Sequence, residues 1–288
     1  IGSGEYILPD IVSRSKPMQR VRGLIARVSE VDTTVLITGE SGTGKELAAR
    51  AIHYNSRRFD SPFIAVNCGT LPESLQESEL FGYTRGSFTG ADRDKIGLIE
   101  GAERGTLFLD EVSELSGAAQ VKLLRFLQER EIRRVGDTKV RYQNVRVIAA
   151  TNANIKEALR KGEMRTDLYY RLNVINIHMP PLRERPGDIT LLASHFVRKY
   201  TPPSGTPLPI SQEATETIER YSWPGNVREL ENVIERAVVL NHDDMIGTDD
   251  LPVEVLGIEG AIVSKARETR ASLAPVEREY ILAVLNDR

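Results

Sequence analysis

The chain has 288 residues and a formal net charge of −3, so there is room for one large core with a smaller attached lobe. The mild acidity excludes an overall basic field that would hold it on a nucleic-acid backbone. No apolar run approaches the roughly 20 residues of a membrane-spanning helix, the single cysteine Cys68 excludes an internal disulfide, and the opening Ile-Gly-Ser-Gly-Glu lacks a signal core, so a reducing, cytoplasmic setting without membrane contact is expected.

Along the chain, Val35 to Thr38 is the first predicted strand. It runs into Gly39-Glu40-Ser41-Gly42-Thr43-Gly44-Lys45-Glu46, and a helical pattern follows over Leu47 to His53. Strand, glycine-rich loop and helix start together form the setting of a phosphate-binding loop. The glycines let backbone N–H groups turn inward, the helix N-terminus adds positive potential, and Lys45 supplies a point charge for β and γ phosphates. The general pattern closes with Ser or Thr, whose hydroxyl holds Mg²⁺. Glu46 stands there instead, which leaves the metal's direct ligands open.

The next strand, Phe63 to Val66, ends at Asn67, which also suits the start of a turn before Gly69. Thr106 to Leu109 is a strand ending in Asp110-Glu111. Beside a phosphate loop, such a pair divides the chemistry: Asp110 holds Mg²⁺ or its waters, and Glu111 orients and deprotonates the attacking water. Ser116 to Arg130 is predicted as a helix with a buried stripe of Val121, Leu124 and Leu127, Leu123 beside them. Val145 to Ala150 is a strand followed by Thr151-Asn152, where Asn152 suits a hydrogen bond to a γ phosphate or to the attacking water. Val174 to Met179 is the fifth strand. Short apolar strands alternating with helices predict a doubly wound α/β layer, whose ligand sites lie at the C-terminal ends of parallel strands.

After Pro180-Pro181-Leu182 the strand signals stop, and Asp188 to Tyr200, Gln212 to Tyr221 and Val227 to Leu240 all read as helices. Thr201 to Pro209 is a loop between two of them, Gly257 to Ser272 a linker, and Pro275 to Arg288 a last helix. The expected division is an α/β region over 1–182, a helical lobe over 183–256, and a linker with a further domain's beginning over 257–288. A chain that begins at Ile1 and not at methionine is expected to be a piece of a longer protein.

From about Asp10 to Leu256 these motifs resemble the AAA+ ATPases, and among them the bacterial enhancer-binding proteins that activate sigma-54 RNA polymerase. The most specific element is Gly86-Ser87-Phe88-Thr89-Gly90-Ala91, close to the GAFTGA loop of that family with Ser87 in place of alanine. Glu46 after the loop lysine also agrees with the family. The resemblance implies a five-stranded parallel AAA+ sheet with a smaller all-helical lid. It implies a loop over 82–97 that grips sigma-54 in the ATP-bound or hydrolysing state, with a hairpin near Arg133 to Gln143 beside it. Arg165 and Arg171 match arginine fingers acting across a subunit boundary, which requires a homo-oligomeric ring, by resemblance a hexamer with a heptamer as the alternative. Arg228, in Trp223-Pro-Gly-Asn-Val-Arg228, matches the second sensor that reaches the nucleotide, its Pro224-Gly225-Asn226 capping the helix that follows. Asn67 matches the residue that restrains the catalytic glutamate.

The implied activity is hydrolysis of ATP with Mg²⁺, driving the sigma-54 closed promoter complex towards the open one. A protein-remodelling AAA+ ATPase with another client is the alternative, and a nucleotide-sensing module without turnover a third. Pro275 to Arg288 resembles the opening of the helix-turn-helix with which family members bind enhancer DNA; most of that domain is absent from this sequence. Cys68 suits quiet packing, and His53, His178, His195 and His242 show no metal-ligand spacing.

Overall fold

The computed structural model describes residues 11–152 and 155–257; the linker and terminal helix expected beyond Gly257 lie outside them. The chain divides into two units, one built on Lys16–Pro181 and the other on the chain from Leu182 onward, to which Val12–Ser15 also belongs.

The first unit alternates strand and helix. Its elements begin with α1 (Lys16–Ser29), β1 (Val35–Thr38), α2 (Lys45–Tyr54), β2 (Phe63–Asn67), α3 (Glu73–Phe81), β3 (Gly82–Tyr83), β4 (Lys95–Ile96) and α4 (Leu98–Gly101). They continue with β5 (Thr106–Asp110), α5 (Gly117–Glu129), β6 (Glu131–Ile132), β7 (Arg141–Tyr142), β8 (Arg146–Thr151), α6 (Ile155–Lys161), α7 (Thr166–Leu172) and β9 (Ile175–His178). The five predicted strands form one sheet in the order β2-β5-β8-β1-β9, and every neighbouring pair is parallel.

Parallel strands need crossover helices, and these cover both faces of the sheet. The period of two sorts the side chains: Leu36, Leu107, Leu109, Val147 and Ala149 pack with α3, α5 and α7 on one face. Val35, Ile37, Phe108, Ile148 and Ala150 pack with α1 and α2 on the other. The near-continuous apolar runs of the central strands follow from burial on both sides. Two short antiparallel pairs, β3–β4 and β6–β7, stand outside this sheet and carry the insertions.

One expectation is corrected on α5. Its buried face is Ala119, Leu123, Phe126 and Leu127, and Val121 is 48% exposed. Both stripes have helical spacing; the one that takes Phe126 inside wins because the larger side chain removes more apolar area from water.

The second unit packs α8 (Asp188–Tyr200), α9 (Gln212–Arg220) and α10 (Asn226–Leu240) around Leu192, Phe196, Ile218, Trp223, Leu230 and Ile234. Ser211 caps α9, its Oγ accepting from Ala214 N at 3.1 Å. The cap of α10 falls within the expected Pro224-Gly225-Asn226 stretch. Gly225 holds the cap position, and the buried Asn226 Oδ1 accepts from Leu182 N at 2.7 Å, satisfying a backbone donor that has left the sheet unit. The N-terminal Val12–Ser15 segment belongs to this unit because Asp188 binds it: its carboxylate accepts from Arg14 N, Ser15 N and Ser15 Oγ at 2.6–2.8 Å. No helix among the described residues is long and apolar enough to cross a membrane.

Candidate functional site

The loop after β1 is held at the C-terminal edge of the sheet. Gly39 N donates to Thr151 O at 3.3 Å, and Met179 N donates to Thr38 O at 2.7 Å, so the ends of β1, β8 and β9 converge there. A methyl group at Gly39 would meet Met179 O at 2.6 Å; the loop passes against this carbonyl only because position 39 has no side chain. Gly42 and Gly44 have φ of 74° and 95°, the left-handed region in which a side chain is strained. Gly44 is also the N-cap of α2 and leaves the first turn's N–H groups facing the loop. Thr43 is buried and its Oγ1 donates to Glu40 O at 2.8 Å, closing the turn around Ser41 and Gly42.

Lys45 is 7% exposed, and its Nζ donates to Gly39 O at 2.9 Å and Glu40 O at 3.0 Å. The ammonium is folded back over its own loop, the position from which it faces whatever the loop encloses. Glu46 points elsewhere: its carboxylate accepts from Arg50 Nη2 at 2.7 Å and Nε at 3.0 Å along the exposed side of α2.

Asp110 ends β5 and stands in register with Asn67 at the end of β2. Burial raises the Asp110 carboxyl above its ordinary range, and the nearby Lys45 ammonium pulls the other way. Glu111 follows with φ 52° and ψ 48°, a left-handed conformation that costs a non-glycine residue roughly 1–2 kcal/mol. That corner turns its carboxylate across the strand ends: Oε1 accepts from Asn152 Nδ2 at 3.4 Å, and Oε2 lies where a methyl on Gly69 would come within 2.6 Å. Asn67 Oδ1 accepts from Gly69 N at 2.9 Å. Glu111 is thus bordered by Asn152 on one side and by the turn that Asn67 caps on the other.

Lys45, Asp110, Glu111, Asn152 and Asn67 therefore meet along one edge of the sheet, at the ends of four parallel strands. The other expected residues lie apart. Arg165 precedes α7 on the surface, its guanidinium donating to Asp167 at 2.7 and 3.1 Å; that pairing holds the Asp167 carboxyl below its ordinary range. Arg171, also exposed, donates to Leu127 O through Nε at 3.2 Å and Nη2 at 2.9 Å, at the C-terminal end of α5. Arg228 is exposed on the first turn of α10 in the other unit. The 86–91 segment tips the insertion between β3 and β4, with Phe88 42% exposed.

Sequence reasoning missed three supports: Gly69 under Glu111, Met179 under Gly39, and Gln120. Gln120 is 2% exposed; its Oε1 accepts from Arg165 N at 2.9 Å and its Nε2 donates to Glu163 O at 2.7 Å, fixing the backbone that presents Arg165. A glutamine inside an otherwise apolar helical pattern was the available signal.

The donor set fits a nucleotide with Mg²⁺. The glycine cradle and Lys45 suit phosphate. Among the described residues there is no cluster of three or more His, Cys, Asp or Glu able to hold a metal; Asp110 would hold the ion or its waters beside phosphate oxygens, in keeping with the oxygen and water shell that Mg²⁺ favours. Cys68 contributes nothing chemical: it is buried, and burial with the neighbouring carboxylates pushes its thiol up to about 12.

Known proteins place this site in a family. The chain matches the Sigma-54 interaction domain over residues 11–178 and the AAA+ ATPase lid domain over 183–266. It is 51% identical over 264 residues to the Nif-specific regulatory protein of Azospirillum lipoferum, covering 92% of this chain and 42% of that one. It is 46% identical over 286 residues to the regulatory protein AtoC of Escherichia coli K12, covering 96% of this chain and 62% of that one. The chain thus spans about half the length of such relatives. Among solved structures, NtrX from Brucella abortus in complex with ATP superposes with a TM-score of 0.79 at 37% identity, over 85% of this chain and 55% of that one. With more than half of its length in the first match and the lid following it, the chain belongs to the Sigma-54 interaction domain family of AAA+ ATPase domains, that of the NtrC-like sigma-54-dependent activators.

Proposed function

We propose that this chain is an ATP-hydrolysing motor that remodels the sigma-54 RNA polymerase closed complex to promote open-complex formation. The observation that carries the reading is Glu111, held in a strained corner beside Asp110, between Asn152 and Gly69, at the mouth of a glycine cradle closed by Lys45. Backbone strain of this kind persists where surrounding structure holds a side chain in a working position.

In the proposed reaction, Glu111 takes a proton from a water whose oxygen bonds to the γ phosphorus. The bond from that phosphorus to the β–γ bridging oxygen breaks, and ADP leaves. Lys45 and the N–H groups of Gly39 to Glu46 offset the phosphate charge, and Asn152 holds the attacking water or a γ oxygen. Asp110 would hold Mg²⁺ or its waters, and the ion would supply further neutralisation of phosphate charge. Arg165 and Arg171, both exposed and far along the chain from the cradle, serve the site of an adjacent subunit in a ring; Arg228 answers to the nucleotide from the lid. The Phe88-Thr89 tip is the part that grips sigma-54. The whole protein's enhancer-DNA contact belongs to a domain beyond this sequence.

Glu111→Ala tests the chemistry. It should still bind ATP, while steady-state phosphate release falls by roughly 10²–10⁴-fold; activity equal to the unaltered chain removes the proposed base. Thr89→Ala tests the client: hydrolysis should persist, and the stable complex with sigma-54 in the presence of an ADP metal-fluoride should be lost. A complex that forms unchanged assigns the motor to another client.

A further inference from the structure

The 86–91 tip is docked in this structure, and its seat is built from residues outside the motif. The backbone bridges β3 to the hairpin between β6 and β7: Thr84 N donates to Val135 O at 3.0 Å and Val135 N to Gly82 O at 2.8 Å. Within the tip, Gly86 N donates to Ala91 O at 2.8 Å and Ala91 N to Phe88 O at 3.0 Å, so the tip can move as a pre-formed piece. Phe88 lies edge-on to Tyr83, ring centroids 4.9 Å apart. Ser87 sits on Gly136 of the hairpin. Gly136 has φ 79°, and a methyl there would lie 2.5 Å from Ser87 Cβ and 3.0 Å from Thr84 Oγ1, so Ser87 reaches this seat only over a glycine.

The seat has one defect. Ser87 Oγ is buried and has no hydrogen-bond partner among the described residues. A hydroxyl taken from water without a partner is disfavoured, and lifting the tip returns it to solvent. The Thr84 and Val135 bonds hold the base of the tip against the hairpin and the Tyr83–Phe88 pair holds its ring, while the Ser87 hydroxyl opposes them.

We propose that Tyr83 and Gly136 are the positioning residues of the 86–91 tip, and that the orphaned Ser87 hydroxyl weakens the dock so that the tip lifts readily. The docking equilibrium is a property of the chain itself. Only its consequence, the ease with which Phe88 and Thr89 are offered to sigma-54, rests on the function proposed above.

Amide hydrogen exchange on the full chain, without nucleotide or sigma-54, tests this at Thr84 and Val135, whose N–H groups bond across the dock. Ser87→Ala removes the hydroxyl and nothing else; exchange at both amides should slow by about tenfold. Tyr83→Ala and Gly136→Ala should speed it by a similar or larger factor, the first by losing the ring contact and the second by the methyl and the left-handed φ. Exchange in Ser87→Ala equal to or faster than in the unaltered chain overturns the role of the hydroxyl. Unchanged exchange in both Tyr83→Ala and Gly136→Ala overturns the seat. Ser87→Ala creates no clash, so its reading does not depend on a variant that fails to fold. A failure of Thr89→Ala to affect sigma-54 engagement would leave these exchange rates as they are, which separates the two proposals.

Discussion

The sheet edge and the 84–94 insertion are two ways of presenting candidate functional residues. At the sheet edge, Asp110 ends and Asn152 follows a strand paired on both sides, Lys45 opens the helix after a third such strand, and Leu36, Leu109 and Ala149 beneath them are fully buried. A strained residue such as Glu111 can be held there, because it directly follows a strand paired on both sides. The insertion stands on the two-residue strands β3 and β4 and one bridge to the hairpin. Few buried contacts hold it, so its opening is far less costly than global unfolding. A fixed edge suits charge stabilisation, which needs preorganised groups; a loosely seated tip suits a part that must move.

That contrast can be broken or sharpened experimentally. The largest expected effect is on catalysis in trans. Arg171→Ala should lower ATP turnover by about 10³-fold or more with the fold intact, since among the described residues its donors reach only Leu127 O. Mixing Arg171→Ala with Glu111→Ala chains should restore part of the activity, because a subunit with an intact base then meets a neighbour with an intact finger. No restoration in phosphate release would place Arg171 outside the neighbour's site.

Next comes the helical unit, whose core includes one especially large buried side chain. Trp223 is fully buried, donates Nε1–H to Ile218 O at 2.8 Å and lies edge-on to Tyr221. Trp223→Ala should cost about 3–5 kcal/mol in denaturant unfolding, and a loss below 1 kcal/mol would show that the helices close over the gap. Asn226→Ala, which leaves the Leu182 N–H without its acceptor, should cost less, roughly 1–3 kcal/mol, in the same measurement.

The smallest effect concerns the edge itself. Burial raises the Asp110 carboxyl, so folding disfavours its ionised form. Its stabilising contribution is complete below the ordinary carboxylate value near about pH 4 and declines as pH rises through the raised one. Asp110→Asn should remove that decline and be the more stable chain at neutral pH, while losing hydrolysis. Parallel urea midpoints of the two chains across this range would contradict the assignment.

Much of the edge was legible before the structure. Gly39 to Lys45 and Asp110-Glu111 carry their chemistry in local order, and the five strands emerged from short apolar runs. The helix α1 carried Met18, Val21, Ile25 and Val28 at helical spacing, a signal present and unread. On α5, two stripes had equal periodicity, and only packing chose the one with Phe126. The Pro224-Gly225-Asn226 stretch showed where α10 starts, but not that the Asn226 side chain serves Leu182, distant in sequence.

The candidate nucleotide site could be read from sequence, because a phosphate cradle and a pair of strand-end carboxylates each depend on residues adjacent along one strand–loop–helix step. Tertiary structure alone decided what those groups lean on: Met179 under Gly39, Gly69 under Glu111, Gln120 behind Arg165, and Gly136 under Ser87. Each of these contacts joins segments far apart in the chain, and close packing, which composition and periodicity do not encode, brings them within van der Waals reach.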